Sequence, residues 1–159
     1  MTTGHTSMRS MITTNSVEET ETLGERLGAR LFPGSVVTLE GDLGAGKTAL
    51  IRGVCRGAGC RVRASSPTYA LMHLYEGPVP VCHFDLYRVA RADEWVAMEV
   101  EEQMDGHNIV LIEWPGPVAE LLPADRLGIT IAPGAHGEQR VFALTGDSDW
   151  QRRLEGLTE

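Results

Sequence analysis

Apolar residues recur every four positions early in the chain, at Leu23, Leu27 and Leu31, which places one apolar stripe on a helix. Ser16-Val17-Glu18-Glu19 precedes it as a capping box: the Ser16 hydroxyl accepts from the Glu19 amide and the Glu19 carboxylate reaches back. Pro33-Gly34 ends that helix. The period then changes. Residues 35–40 (SVVTLE) are short and β-branched, the pattern of a buried strand, and a glycine-rich segment follows over 41–46. Residues 47–57 return to helical spacing, with Leu50, Ile51 and Val54 on one side and Gly57 and Gly59 as the stop. Two strands, 71–75 and 81–87, flank the turn Gly77-Pro78-Val79-Pro80 and predict a hairpin or adjacent antiparallel pair. A helix over 92–104 is acidic on its outer face and closes at Asp105-Gly106. Residues 108–113 (NIVLIE) form a second buried strand, and 117–122 hold one short helical turn. Strands at 127–132 and 139–144 flank Pro133-Gly134-Ala135-His136-Gly137 as a C-terminal hairpin, and Ser148 or Asp149 caps a last helix to Leu157. Residues 1–14 are polar without a periodic face, which predicts a disordered tail before one domain over 15–159.

Composition narrows the class. The 159 residues are 42% hydrophobic and 23% charged, as in a soluble globular domain. A net charge of −8 repels nucleic-acid phosphate and argues against autonomous binding of RNA or DNA. No segment has the apolar length that a membrane crossing needs. The three cysteines, Cys55, Cys60 and Cys82, are odd in number and lack CxxC spacing, which speaks against a disulfide framework or a zinc site. Reduced thiols and the lack of a signal-peptide pattern point to the cytoplasm.

The chemistry begins at Gly41-Asp42-Leu43-Gly44-Ala45-Gly46-Lys47-Thr48, which matches GxxxxGK[ST] between a β-branched strand and an apolar-faced helix. Glycines let such a loop wrap so that backbone N–H groups point at phosphate oxygens, and the helix adds the positive end of its dipole. Lys47 is expected to bridge the β- and γ-phosphates of ATP, and the Thr48 hydroxyl to hold Mg²⁺. Lys47 is also the only lysine among 14 basic residues. A chain that uses arginine everywhere else keeps one compact ammonium where a planar guanidinium does not fit.

A phosphate loop of this kind needs a second carboxylate on the metal side, usually at a strand end. Glu113 ends the run Ile109-Val110-Leu111-Ile112, and Asp85 sits in His83-Phe84-Asp85-Leu86-Tyr87-Arg88. Either acid alone also reads as a solvated loop residue, and the metal-ligand and base roles of the two are interchangeable at this level. Ser65-Ser66-Pro67-Thr68-Tyr69 either places the Thr68 hydroxyl by a γ-phosphate, as a switch does, or is a simple turn. Arg140 either reaches a nucleotide or joins a cross-strand ion pair. His83 reads as a core or surface residue unless it orients Asp85.

GDLGAGKT (41–48), SPTY (66–69), HFDLYR (83–88) and EWP (113–115), in this order, resemble the TsaE (YjeE) family over residues 16–144. That resemblance implies a P-loop NTPase-like α/β three-layer sandwich: a mixed sheet with antiparallel strands and helices on both faces. It implies Thr48 and Glu113 as Mg²⁺ ligands, Asp85 as a Walker B-like or catalytic acid, SPTY as a switch-like loop, and Trp114 by the nucleotide. It further implies an ATPase that supports threonylcarbamoyl modification of tRNA adenosine with the proteins TsaD and TsaB. One departure stands out: Met98-Glu99-Val100-Glu101-Glu102-Gln103-Met104 lacks the glycine and aromatic that the family usually carries after HFDLYR.

Two rival classes share the phosphate loop. A nucleoside or nucleotide kinase needs an acceptor pocket and an arginine-rich lid, and beyond Arg91 the chain has only Arg126, Arg140, Arg152 and Arg153 and no lid-sized insertion. A nucleotide-sensing adaptor would bind ATP without turning it over.

Overall fold

The computed structural model describes residues 8–42, 46–64, 72–90 and 93–158. Among them, β1 (Met8–Thr14), β2 (Val36–Gly41), β3 (Val62–Ala64), β4 (Met72–Glu76), β5 (Val81–Asp85), β6 (Ile109–Glu113), β7 (Leu127–Pro133) and β8 (Arg140–Gly146) form one sheet. Its order is β1-β8-β7-β2-β6-β5-β4-β3. The central strands β7, β2, β6 and β5 are parallel, while β1, β8, β4 and β3 add antiparallel edges. β2 from Val36 to Leu39 and all of β6 are buried at every position because both of their faces are covered.

Strand alternation divides the core. Val37, Leu39, Ile109, Leu111 and Val81 meet α1 (Val17–Gly28), α2 (Lys47–Gly57) and α4 (Ser148–Arg153) on one face. Val36, Val110, Ile112, Cys82 and Phe84 meet α3 (Glu94–Gln103) and the 3₁₀ helix Gly116–Leu121 on the other. The three-layer α/β architecture with a mixed sheet is therefore the one expected.

α1 and α2 lie unusually close. A methyl group added at Gly24 or Gly28 would sit 2.3 or 2.2 Å from the carbonyl oxygen of Leu50 or Val54. One added at Gly53 or Gly57 would sit 2.2 or 2.0 Å from that of Glu21 or Glu25. Each helix thus presents two glycines, four residues apart, to the other's backbone. Glycine inside a helix costs about 0.5–1 kcal/mol relative to alanine, so the close approach must offset that four times over.

Several details differ from expectation. Met8–Thr14, expected to be disordered, pairs along its length with β8. Its inward positions Met8, Ser10 and Ile12 alternate with exposed Arg9, Met11 and Thr13, and the interspersed Ser, Thr and Arg hide the period from an apolar count. Its last residue is buried, with the Thr14 and Thr20 hydroxyls 2.7 Å apart. β3 was not anticipated either. α1 stops at Gly28, ahead of Pro33, and Leu31 packs on the core from the connecting turn. Ser16 caps α1 as expected, but the Glu19 carboxylate accepts the amide of Asn15 rather than that of Ser16. α4 is capped by Asp147, whose carboxylate accepts from the Trp150 amide at 3.1 Å, not by Ser148 or Asp149.

Candidate functional site

Parallel pairing puts the carboxyl ends of β2, β6 and β5 on one edge of the sheet, where ligands bind in open α/β folds. β2 runs there into the glycine-rich loop, β6 ends at Glu113 and β5 at Asp85. Register sets Leu39 and Asp85 on either side of Glu113. Alternation turns His83, Asp85 and Glu113 to the face that carries α2.

Gly46 caps α2 with φ of 101°, a left-handed conformation that favours glycine. Gly46 has no side chain with which to cap this helix, and the helix dipole turns its positive end to this edge. Lys47 is only 6% exposed. Its ammonium donates to the Gly41 carbonyl at 2.6 Å and lies 4.2 Å from the centre of the Trp114 ring. It is thus held by one carbonyl dipole and one aromatic face. Thr48 is exposed at the start of the helix.

Trp114 is the one non-glycine residue with positive φ among the described residues, at 59°. Its amide extends the sheet by donating to Leu39 at 3.0 Å, and its ring tilts against Tyr87 with centroids 5.1 Å apart. A strained backbone of this kind costs about 1–3 kcal/mol and clusters at functional sites. Here it turns the ring onto the lysine.

The two acids occupy different surroundings. Glu113 is buried, and its Oε2 lies 2.6 Å from His83 Nε2. His83 is buried as well and stacks on His73 with ring centres 5.6 Å apart. Asp85 is half-buried, and its Oδ1 accepts the Tyr87 amide at 3.1 Å, a local turn. His83 therefore meets Glu113 and not Asp85. Thr48 and His83 line the same cavity, of about 420 Å³, together with Arg52, Arg56, Arg61 and Tyr75.

Arg140 reaches this region from β8. Its Cγ would lie 3.5 Å from a methyl group at Gly46, so its stem flanks the loop, while its guanidinium donates to the Gly137 and Gln139 carbonyls at 2.8 and 2.9 Å. The structure thus gathers Gly41, Gly46, Lys47, Trp114 and Arg140 at one end of the sheet, with Thr48, Glu113 and Asp85 beside them. Asp42 is exposed next to Gly41. Leu43, Gly44, Ala45 and Thr68 lie outside the described residues. Sequence reasoning missed Tyr87 as a support for Trp114 and missed the partner of His83. Strand alternation would have put His83 and Glu113 on one face once β5 and β6 were known to be neighbours.

Burial raises the thiols of Cys55 and Cys82, to about 12 and about 11, with the charge of Cys60 adding to the first and those of Asp105 and Glu99 to the second. Both are protonated at neutral pH, so the thiols pack as small apolar groups.

The sequence pattern of the family described as "Threonylcarbamoyl adenosine biosynthesis protein TsaE" matches residues 14–141, from the end of β1 into β8. The chain belongs to the TsaE family. The "tRNA threonylcarbamoyladenosine biosynthesis protein TsaE" of Bacillus subtilis (strain 168) is 36% identical over 132 residues, 82% of each chain. TsaE of Treponema pallidum (strain Nichols) is 33% identical over 126 residues, 79% of this chain and 93% of its own. A crystal structure of YdiB from Bacillus subtilis superposes with a TM-score of 0.77 at 30% identity, covering 98% of this chain and 97% of the other. The fold shared with these TsaE proteins is P-loop NTPase-like. No helix among the described residues is long and apolar enough to cross a membrane.

Proposed function

We propose that this chain is a Mg²⁺-dependent ATPase that supports threonylcarbamoyl modification of tRNA adenosine in the cytoplasm, as a partner of TsaB and TsaD and slow when alone. The observation that carries the reading is the placement of Lys47. The only lysine in the chain is buried at the mouth of a helix that begins at a glycine, held by the Gly41 carbonyl and an aromatic face, where entering phosphate oxygens can replace the carbonyl. Charge-assisted hydrogen bonds to such oxygens contribute about 1.5–3 kcal/mol each.

The donor set suits Mg²⁺. Thr48 and Glu113 offer hard oxygens, and no group of three or more His, Cys, Asp or Glu among the described residues is placed to hold a metal on its own. Magnesium is commonly bound through one or two protein oxygens and the substrate phosphates, not by an all-protein cage. Thr48 and Glu113 would hold it, and when bound it neutralises charge on the β- and γ-phosphates. Asp85, the more open acid, would orient the attacking water toward the γ-phosphorus. The water oxygen would form a new bond to Pγ as the bond to the β–γ bridging oxygen breaks, a proton of the water would pass to the Asp85 carboxylate, and ADP and phosphate would depart. Gly41 to Gly46 would cradle the phosphates through their amides, with Thr68 beside the γ-phosphate and Trp114 and Arg140 flanking the nucleotide.

The net charge of −8 supports a division of labour in which partner proteins supply most of the tRNA contact. Lys47→Ala should abolish hydrolysis of γ-labelled ATP, measured alone and with TsaB and TsaD. Turnover at the wild-type rate would refute the proposal, and label recovered on a nucleoside instead of as free phosphate would move the reading to a kinase.

A further inference from the structure

The mechanism proposed above leaves the buried imidazole of His83 without a task. His83 sits on β5, two residues before Asp85 and diagonal to Glu113 on β6. Its Nε2 reaches Glu113 Oε2 at 2.6 Å, and side-chain exposure is 10% for both partners. Its Nδ1 is buried with no hydrogen-bond partner among the described residues. A carboxylate only accepts, so Nε2 is the donor in the bond to Glu113. A proton on Nδ1 would be a stranded donor, whereas a proton on Nε2 is given to the carboxylate and leaves only a bare lone pair behind. Stacking on His73 at 5.6 Å braces the ring.

We infer that His83 is a positioning residue for the carboxylate on the metal side: by holding Oε2 of Glu113 it leaves Oε1 to serve the cation beside Thr48. The inference rests on the ATPase reading and removes the interchangeability of the two acids. Glu113 is pinned by a side chain that lines the same cavity as Thr48, whereas among the described residues Asp85 is engaged by its own turn. Outer hydrogen bonds to a ligating group orient it, and losing one typically weakens metal affinity by about 10–100-fold.

The test measures binding rather than turnover. The full chain, saturated with ADP, is titrated with Mn²⁺ and free Mn²⁺ is read by electron paramagnetic resonance. His83→Ala should weaken Mn²⁺ by at least about tenfold. His83→Gln, whose amide nitrogen can replace Nε2, should stay near wild type, and ADP affinity without metal should be the same in all three. Unchanged Mn²⁺ affinity in His83→Ala would overturn the inference. Equal losses in the Ala and Gln variants, or a parallel fall in metal-free ADP affinity, would overturn it too, since either marks a packing role. A wild-type chain that binds neither ADP nor Mn²⁺ with ADP would sink the ATPase reading itself. Wild-type binding with an unaffected His83→Ala would sink only this step.

Discussion

Gly53→Ala sets two physical effects against each other, and the structure decides between them. Helix propensity favours the change by about 0.5–1 kcal/mol, because alanine restricts the unfolded chain more than glycine does. Packing opposes it. The new methyl carbon would lie 2.2 Å from the Glu21 carbonyl oxygen and 2.9 Å from the Glu25 amide nitrogen. Both are backbone atoms within α1 and cannot rotate aside. Ordinary carbon contacts lie at about 3.5 Å, so α1 and α2 must separate by about 1 Å. A gap of that size forfeits about a quarter to a half of each dispersion contact across the seam, and overpacking of this kind costs about 1–3 kcal/mol. The balance is a net loss of about 1–2 kcal/mol, which for a chain of this length lowers Tm by about 2–8 °C. Thermal melts followed by circular dichroism measure it. Gly116→Ala is the control, since nothing among the described residues lies within 4 Å of a methyl group there. It should change stability by less than about 0.5 kcal/mol. A Gly53→Ala chain that melts at or above the wild-type temperature would show that propensity wins and that the helix seam is not tightly set.

Two further outcomes are expected. Lys47 lies 4.2 Å from the Trp114 ring, and a phosphate that engages the ammonium alters the charge facing the indole, so ADP should change the tryptophan emission of the wild type and not of Trp114→Phe. A response retained in the variant would place the reporter at Trp95 or Trp150. Buried thiols should also make the fold alkali-sensitive. An unfolded thiol loses its proton from about pH 8.5. Folded Cys82 and Cys55 keep theirs to about 11 and about 12. The folded state therefore binds more protons in that window, and stability, full below pH 8.5, falls by up to about 1.4 kcal/mol per pH unit for each thiol above it. Urea midpoints from pH 7.5 to 10.5 should decline, and less steeply in Cys82→Ala. Parallel slopes for the two chains would refute the assignment.

Much of the architecture was legible because its signals are local. The β-branched run before the glycine loop, the apolar period of α2 and the acid-ended strand β6 each announce themselves within ten residues. The phosphate loop adds a spacing with a direct chemical meaning. What stayed hidden depends on which elements are neighbours. β1 has an alternating inner face built partly of serine and threonine, so it becomes visible only once β8 lies beside it. Gly24 with Gly28, and Gly53 with Gly57, look like weaknesses in two separate helices until the helices meet. His83 and Glu113 are thirty positions apart, and only the parallel register of β5 and β6 joins them.

The resting contact of Lys47 bears on how long a nucleotide stays. Here the ammonium already has a tenant's place filled from within, by the Gly41 oxygen and the Trp114 face. An arriving phosphate wins only the difference between two bonds, and a departing one hands the cation back to a ready substitute. On the ATPase proposal, such a pocket favours exchange of nucleotide over its tight storage.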